Sequence, residues 1–343
     1  MTHIFRRVLA LFCAALVLLP AAACSKKGEK LLESSSLEKT VVMTIGGFDV
    51  PLELYRYVAL NYKADYESGA SPDIWLGEEG AALLEELNEN TEATLVYLCA
   101  TPTLAEQYGI RADDAYVKDT VQMKMEAVYE EFDNDYAAYD EYLRSHNMND
   151  SVYRFLVRND ILAEELTARM GAAGEIPMDD DTLKKVLGSD EVIRVKQILV
   201  SADDGLGEEE MEAKASALLE RALAGEDFDD LVQHEGRDLY MFNNPDGYYI
   251  SRGVYHREFE EAAFSLAVGE IGGPVRTDAG WSVLRRYEKE QAYLDSHFEE
   301  LAENYIAGQY NLLLEAHEAA LADQVVPGEK LSDYTIFNLD STY

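Results

Sequence analysis

The residue types that do chemistry are few in this chain and widely spread. Six histidines stand at His3, His146, His234, His256, His297 and His317. No two have HExxH or similar spacing, which would aim two rings from one helix at a zinc ion, so no metal site is expected. Asp179-Asp180-Asp181 carries the charge for a cation. Acids also pair well with the unsatisfied N–H groups at a helix start, and the run reads as the cap of a helix beginning near Thr182. Gly46-Gly47 and Gly272-Gly273 suit turns rather than a phosphate-cradling loop. No Gly-x-Ser-x-Gly elbow offers a hydrolase nucleophile. No cofactor is expected. Three cysteines, Cys13, Cys24 and Cys99, cannot build a disulfide framework. Cys99 ends the apolar run Leu95-Val96-Tyr97-Leu98 and reads as a core residue.

Cys24 differs from the other two. Arg6 and Arg7 precede an apolar run from Val8 to Leu19, and Pro20 and three alanines lead to Cys24. That is the layout of a secretory signal, and the run is short for a permanent membrane span. Ala21-Ala22-Ala23-Cys24 resembles the lipobox of bacterial lipoproteins, in which the cysteine is lipidated and becomes the first residue. The commonest form has Leu three before the cysteine, where this chain has Ala21. The alternative is a plain signal cleaved near Ala23 with Cys24 incidental. The polar Ser25-Lys26-Lys27-Gly28 that follows at once suits a tether and favours lipidation, with the protein held on the extracytoplasmic face of the cell membrane.

The charge excludes whole classes of partner. Twenty-nine Lys+Arg against 66 Asp+Glu give −37, and loss of Arg6 and Arg7 with the signal takes this to −39. Such a field repels phosphate backbones and anionic lipid headgroups, so nucleic acid is not a partner. At 343 residues and 48% hydrophobic content the chain can bury more than one core.

The elements read as follows. Residues 25–37 are polar. Val41 to Val50 forms two short strands around Gly46-Gly47, and Pro51 opens a helix running towards Tyr66. Helices follow over 79–88, 92–108 (kinked or broken at Pro102), 115–132, 136–145 and 151–170. In the last, Val152, Phe155, Leu162 and Leu166 share a face. Residues 171–177 read as a linker. From Asp190 the texture changes to strand 192–200, with Val195, Gln197 and Leu199 on one face. Helices 208–224, 228–234 and 258–265 come next, then a turn over 269–274 and a strand over 281–287. This is an α+β pattern. Beyond Lys289 an amphipathic helix with Leu294, Phe298, Leu301 and Tyr305 on one face runs to near Asp323. It needs a partner face, which the N-terminal helices offer.

Four ordered stretches between Arg194 and Glu288 resemble the parvulin family of peptidyl-prolyl isomerases. Arg194 to Val200 looks like the family's opening strand, which ordinarily ends His-Ile-Leu. Gly225-Glu226-Asp227-Phe228-Asp229-Asp230-Leu231 matches its Gly-x-Asp-Phe-x-x-Leu helix start. Phe259-Glu260-Glu261-Ala262-Ala263-Phe264-Ser265-Leu266 is close to its Phe-Glu-x-Ala-Phe-x-Leu helix. Gly269 to Val275, with Thr277 and Gly280, is similar to its final turn and strand. With the flanking helices and the lipobox, the whole chain looks like a foldase lipoprotein of the PrsA/SurA-like kind. The resemblance implies a parvulin-like α/β domain inserted between N-terminal helical segments and a C-terminal helix that form a chaperone domain. The expected boundaries are signal 1–23, tether 24–38, helical region 39–187, parvulin-like domain 188–289 and C-terminal helix 290–343.

What the resemblance implies is cis-trans isomerisation of Xaa-Pro bonds in unfolded secreted polypeptides. The amide barrier is about 20 kcal/mol. An apolar cup that holds the proline ring and desolvates the amide favours the twisted state without covalent catalysis. Carried over residue by residue, Phe259 and Tyr255 fall on the pocket wall, Asp238 on the family's Cys or Asp, and Thr277 on a pocket-side threonine. His256 lies beside this pocket and reads as a solvated loop residue. Phe264 reads as core. The family's two histidines are replaced by Gln197 and Ser282, and Asn243 to Tyr249 departs from its Gly-Asp-Leu-Gly loop. Two readings therefore stay open: a foldase with isomerase turnover, or a non-catalytic holdase with a degenerate parvulin domain. The clients, and the choice between monomer and homodimer, are left open. A solute-binding lipoprotein is disfavoured because repeated strand–helix alternation is missing.

Overall fold

The computed structural model describes residues 40–71, 73–201 and 205–339. The expected signal, Cys24 and the tether lie outside the described residues. By contacts, the described chain forms two compact units, residues 40–172 with 314–339, and residues 173–313.

The first unit starts with the hairpin β1 (Val41–Ile45) and β2 (Phe48–Pro51), then α1 (Leu52–Glu67), α2 (Gly77–Gln107), α3 (Ala115–Glu131), α4 (Tyr136–Ser145) and α5 (Asp150–Ala173). The stretches 79–88 and 92–108, read as two helices, are one helix α2, which continues past Pro102 without a break. Proline has no N–H for the Leu98 carbonyl one turn back. The Asn159 side-chain amide supplies that donor instead, at 2.8 Å. A neighbouring helix thus satisfies what the sequence leaves open. Val152, Phe155, Leu162 and Leu166 of α5 are all buried, as their spacing predicts, and α5 runs on into the residues read as a linker. Cys99 is fully buried, and burial pushes its thiol up to about 12.

The second unit contains α6 (Asp180–Gly188), β3 (Val192–Val200), α7 (Glu208–Leu223), α8 (Phe228–Glu235), α9 (Leu239–Asn243), β4 (Tyr248–Ser251), α10 (Arg257–Ser265), β5 (Ile271–Thr277), β6 (Gly280–Tyr287) and α11 (Gln291–Ser296). Asp179 caps α6 by accepting the Thr182 N–H at 2.9 Å. The strands form one antiparallel sheet in the order β4-β3-β6-β5. Pairing sets the faces. Val195 lies opposite Tyr248, Gln197 opposite Leu284 and Leu199 opposite Ser282, so these six share one face. Ile198, Val200 and Val283 point the other way, into a core closed by Met211, Ala215, Leu218 and Ala222 of α7 and Phe228 and Leu231 of α8. The expected turn over 269–274 is half strand: β5 begins at Ile271 and is irregular between Gly272 and Val275, around a cis Gly273–Pro274 bond.

Helix α12 (Phe298–Ala322) follows a break at His297 and serves both units. The sequence assigned this whole amphipathic stretch to the N-terminal helices. In the structure Leu294, Leu301 and Tyr305 pack with Leu183 and Leu187 of α6, the last helix of the 39–187 region, and also with Val192 of β3 and Tyr249 of β4. Only from Leu314 onward does the helix group with the first unit. There His317 shares a 2.9 Å hydrogen bond with Thr103. A short strand, β7 (Val325–Pro327), then pairs with β1. Amphipathicity shows that a face is buried, not which neighbour buries it.

Candidate functional site

On the sheet face that carries α10, four polar side chains form one directed chain of hydrogen bonds. The Ser282 hydroxyl donates to the Gln197 side-chain oxygen at 2.8 Å. The Gln197 amide nitrogen donates to Asp238 Oδ2 at 2.6 Å, and the Tyr248 hydroxyl donates to the same oxygen at 2.7 Å. Asp238 Oδ1 accepts the Tyr240 backbone N–H at 2.9 Å as the cap of α9. Ser282 is 1% exposed and Asp238 9% exposed. A carboxylate so far out of water costs several kcal/mol unless donors replace its hydration, and three do so here.

The Tyr248 ring joins this polar chain to an aromatic wall. It stacks on Tyr240 with centroids 4.5 Å apart and planes within 10°. It meets Tyr255 edge-on at 5.6 Å and Phe259 at 6.5 Å, and Tyr255 lies 5.8 Å from Phe259. Beneath them Phe259 belongs to a cluster with Ile193, Val195, Ile250, Ala263 and Leu284. On the outer side Leu239, Tyr240 and Phe242 of α9 are exposed. Burial raises the phenol pKa of both Tyr248 and Tyr255, and the bond to Asp238 raises that of Tyr248 further. Both rings stay neutral through the physiological range. Gly247, at φ +80°, lets the chain entering β4 approach β3, where a side chain would strike the Val195 carbonyl.

Of the residues singled out from sequence, the structure brings Gln197, Asp238 and Ser282 into one hydrogen-bonded chain and Tyr255 and Phe259 into one wall. Thr277 stands on the sheet face of Ser282, two residues beyond its partner Val275, and its hydroxyl donates to the Gly280 carbonyl at 3.4 Å across the β5–β6 hairpin. Phe264 is half-buried against the Phe259 cluster, under the Arg252 guanidinium at 4.2 Å. His256 sits at the start of α10. Tyr248, which connects the two groups, was not anticipated. Its signal was the alternation of Tyr248 with Ile250 in a four-residue strand, too short to stand out from the turn around it.

The comparisons with known proteins bear on this segment first. The family model of rotamases described as the PPIC-type PPIase domain matches residues 196–288. This segment is a parvulin domain. Over 289 residues the chain is 27% identical to the foldase protein PrsA of Caldanaerobacter subterraneus, covering 82% of each. It is 33% identical over 106 residues to the chaperone SurA of Nitrosococcus oceani, covering 31% of this chain and 25% of that relative. The chain therefore spans most of the length of the PrsA relative and about a quarter of the SurA relative. The crystal structure of the peptidylprolyl isomerase PrsA from Bacillus anthracis is similar at 18% identity with a TM-score of 0.38, covering 67% of this chain and 96% of that one.

Within the parvulin domain, Gln197 and Ser282 occupy the positions where the family resemblance calls for histidines, and they bond directly to each other. The exchange keeps a donor and an acceptor at each position. It removes every imidazole from the hydrogen-bonded chain.

Proposed function

We propose that the protein is an extracytoplasmic foldase whose parvulin domain receives Xaa-Pro segments of unfolded secreted polypeptides against Tyr240, Tyr248, Tyr255 and Phe259. The observation that carries this reading is the meeting, at the single residue Tyr248, of a buried polar chain and an aromatic wall. Aromatic faces pack on the pyrrolidine ring and exclude water from the preceding amide. Loss of conjugation in the twisted amide moves charge off the carbonyl oxygen, so a dry, low-dielectric wall favours the twisted state over the planar one. Ser282, Gln197 and Asp238 act behind the wall: they fix the Tyr248 ring and keep its hydroxyl directed inward. Thr277, across the hairpin, serves the backbone there. Cys24 carries the lipid that anchors the protein to the membrane, a reading supported by its lipobox-like surroundings and polar tether.

A protease-coupled assay on an Ala-Pro or Phe-Pro peptide tests the catalytic half. Turnover above background that falls at least tenfold in Phe259→Ala is expected. A rate no higher than background, unchanged in Phe259→Ala, rejects catalysis. The second reading, a holdase without turnover, draws support from the loss of both family histidines and from a Phe259 only 5% exposed. It is selected if the protein suppresses aggregation of a denatured client as well with Phe259→Ala as without, and neither form turns over the peptide. Metabolic labelling with palmitate, lost in Cys24→Ala, tests the anchor.

A further inference from the structure

Tyr255 lies in a loop, between β4 and α10, yet the wall needs its ring held against Phe259. Two devices fix that loop. The first is Glu260, on the first turn of α10 and 5% exposed. Its Oε2 accepts the Gly253 N–H at 2.9 Å, and its Oε1 accepts the Val254 and Tyr255 N–H groups at 2.9 and 2.7 Å. Three successive backbone donors converge on one buried carboxylate, and the last belongs to Tyr255 itself. The second device comes from α12, beyond the segment matched by the family model. The Asn311 side-chain amide donates to the Gly253 carbonyl at 2.8 Å. The loop and helix backbones meet so closely that a Cβ on Gly253 would collide with the Gly308 carbonyl, and one on Gly308 with the Arg252 carbonyl. Gly253 also has φ +87°, which a side chain would strain.

We propose that Glu260, Gly308 and Asn311 are positioning residues that hold the Gly253–Tyr255 loop and so set Tyr255 against Phe259 and Tyr248. The proposal rests on reading that wall as the proline site. It has a specific consequence: the site is incomplete without the C-terminal helix, although the parvulin pattern in sequence ends before it. A buried carboxylate spends its desolvation cost on a defined loop shape, where an apolar residue would fill the volume and leave three N–H groups unpaired.

The test uses the full chain with Glu260→Gln, Asn311→Ala and Tyr255→Ala, alone and combined. Amide hydrogen exchange without peptide reads the loop, and affinity for a fluorescent Ala-Pro peptide reads the site. Expected results are faster exchange at Gly253, Val254 and Tyr255 in the first two variants. Affinity should fall about fivefold in Asn311→Ala, the loss of one hydrogen bond, and more in Glu260→Gln. In the Tyr255→Ala background Asn311→Ala should add nothing further. Unchanged loop exchange in Asn311→Ala overturns the proposal even if Glu260→Gln fails to fold. So does faster exchange with unchanged affinity, or an Asn311→Ala effect that adds fully to that of Tyr255→Ala. A wild-type protein that binds no Xaa-Pro peptide overturns the reading of the wall and the positioning role together. The exchange result, obtained without peptide, distinguishes that failure from failure of the clamp.

Discussion

The two faces of the four-stranded sheet are built from alternate residues of the same strands and differ in kind. The face under α7 and α8 buries Ile198, Val200 and Val283 against Leu218, Phe228 and Leu231, all 2% exposed or less. The opposite face places Gln197 and Ser282 beside Val195 and Leu284 and adds Asp238 and three tyrosines. The first face gains mainly from dispersion and the hydrophobic effect, with Lys196 of the same strand face paired to Asp229 of α8 at 2.9 Å. The second gives up part of that gain to hold groups that must be paired one by one. One face is an apolar core, the other carries the candidate site over a smaller apolar cluster of its own, and the strand period of two sets which residues go to which.

The sharpest way to break this comparison is to truncate one large side chain on each face. Phe228→Ala should cost about 3–5 kcal/mol of unfolding free energy in denaturant titration, with binding of an Xaa-Pro peptide per folded molecule unchanged. Phe259→Ala should lose peptide affinity as well as stability. Equal loss of affinity from both would show that the faces are not separable. Next in size, Tyr248→Phe keeps the ring and removes one of the donors to Asp238. A stability loss of about 1–2 kcal/mol is expected, with weaker peptide binding, by the same titration and a binding isotherm.

Alkaline pH sharpens the contrast further. The phenol pKa values of Tyr248 and Tyr255 are raised in the folded state, so above about pH 10, where an unfolded phenol ionises, the folded chain holds more protons. Stability from these groups is complete below that pH and falls as pH rises. Tyr248→Phe should flatten the alkaline slope by about 1.4 kcal/mol per pH unit, read by chemical denaturation at stepped pH. The smallest effect concerns neutral pH. With no imidazole in the hydrogen-bonded chain, peptide binding should be flat from about pH 6 to 9. Gln197→His should introduce a single titration step into that profile, and a step already present in the wild type would place another titrating group at the wall.

Much of this arrangement was legible before the fold. The alternation of Val195, Gln197 and Leu199 correctly placed them on one face, and the parvulin resemblance named five residues that the structure gathers into the polar chain and the wall: Gln197, Asp238, Tyr255, Phe259 and Ser282. Thr277 was selected by the same likeness; it lies two residues from Val275, which pairs with Ser282, and its hydroxyl donates to the Gly280 carbonyl. Pro102 read as a kink or a break because a missing N–H is visible in sequence, while the Asn159 amide that compensates lies 57 positions later on another helix. Tyr248 stayed hidden in a four-residue strand.

The sequence by itself determined most of the longer strands and helices, which of their residues are apolar, and that Gln197 and Ser282 stand where the parvulin resemblance calls for imidazoles. Each of these depends on one residue and its near neighbours. Only the tertiary structure decided that Ser282, Gln197, Asp238 and Tyr248 form one chain, and that Asn311 reaches back 58 positions to the loop of Tyr255. Those are pairings between distant segments. They are set by which surfaces pack together once water is excluded, and no local propensity encodes them.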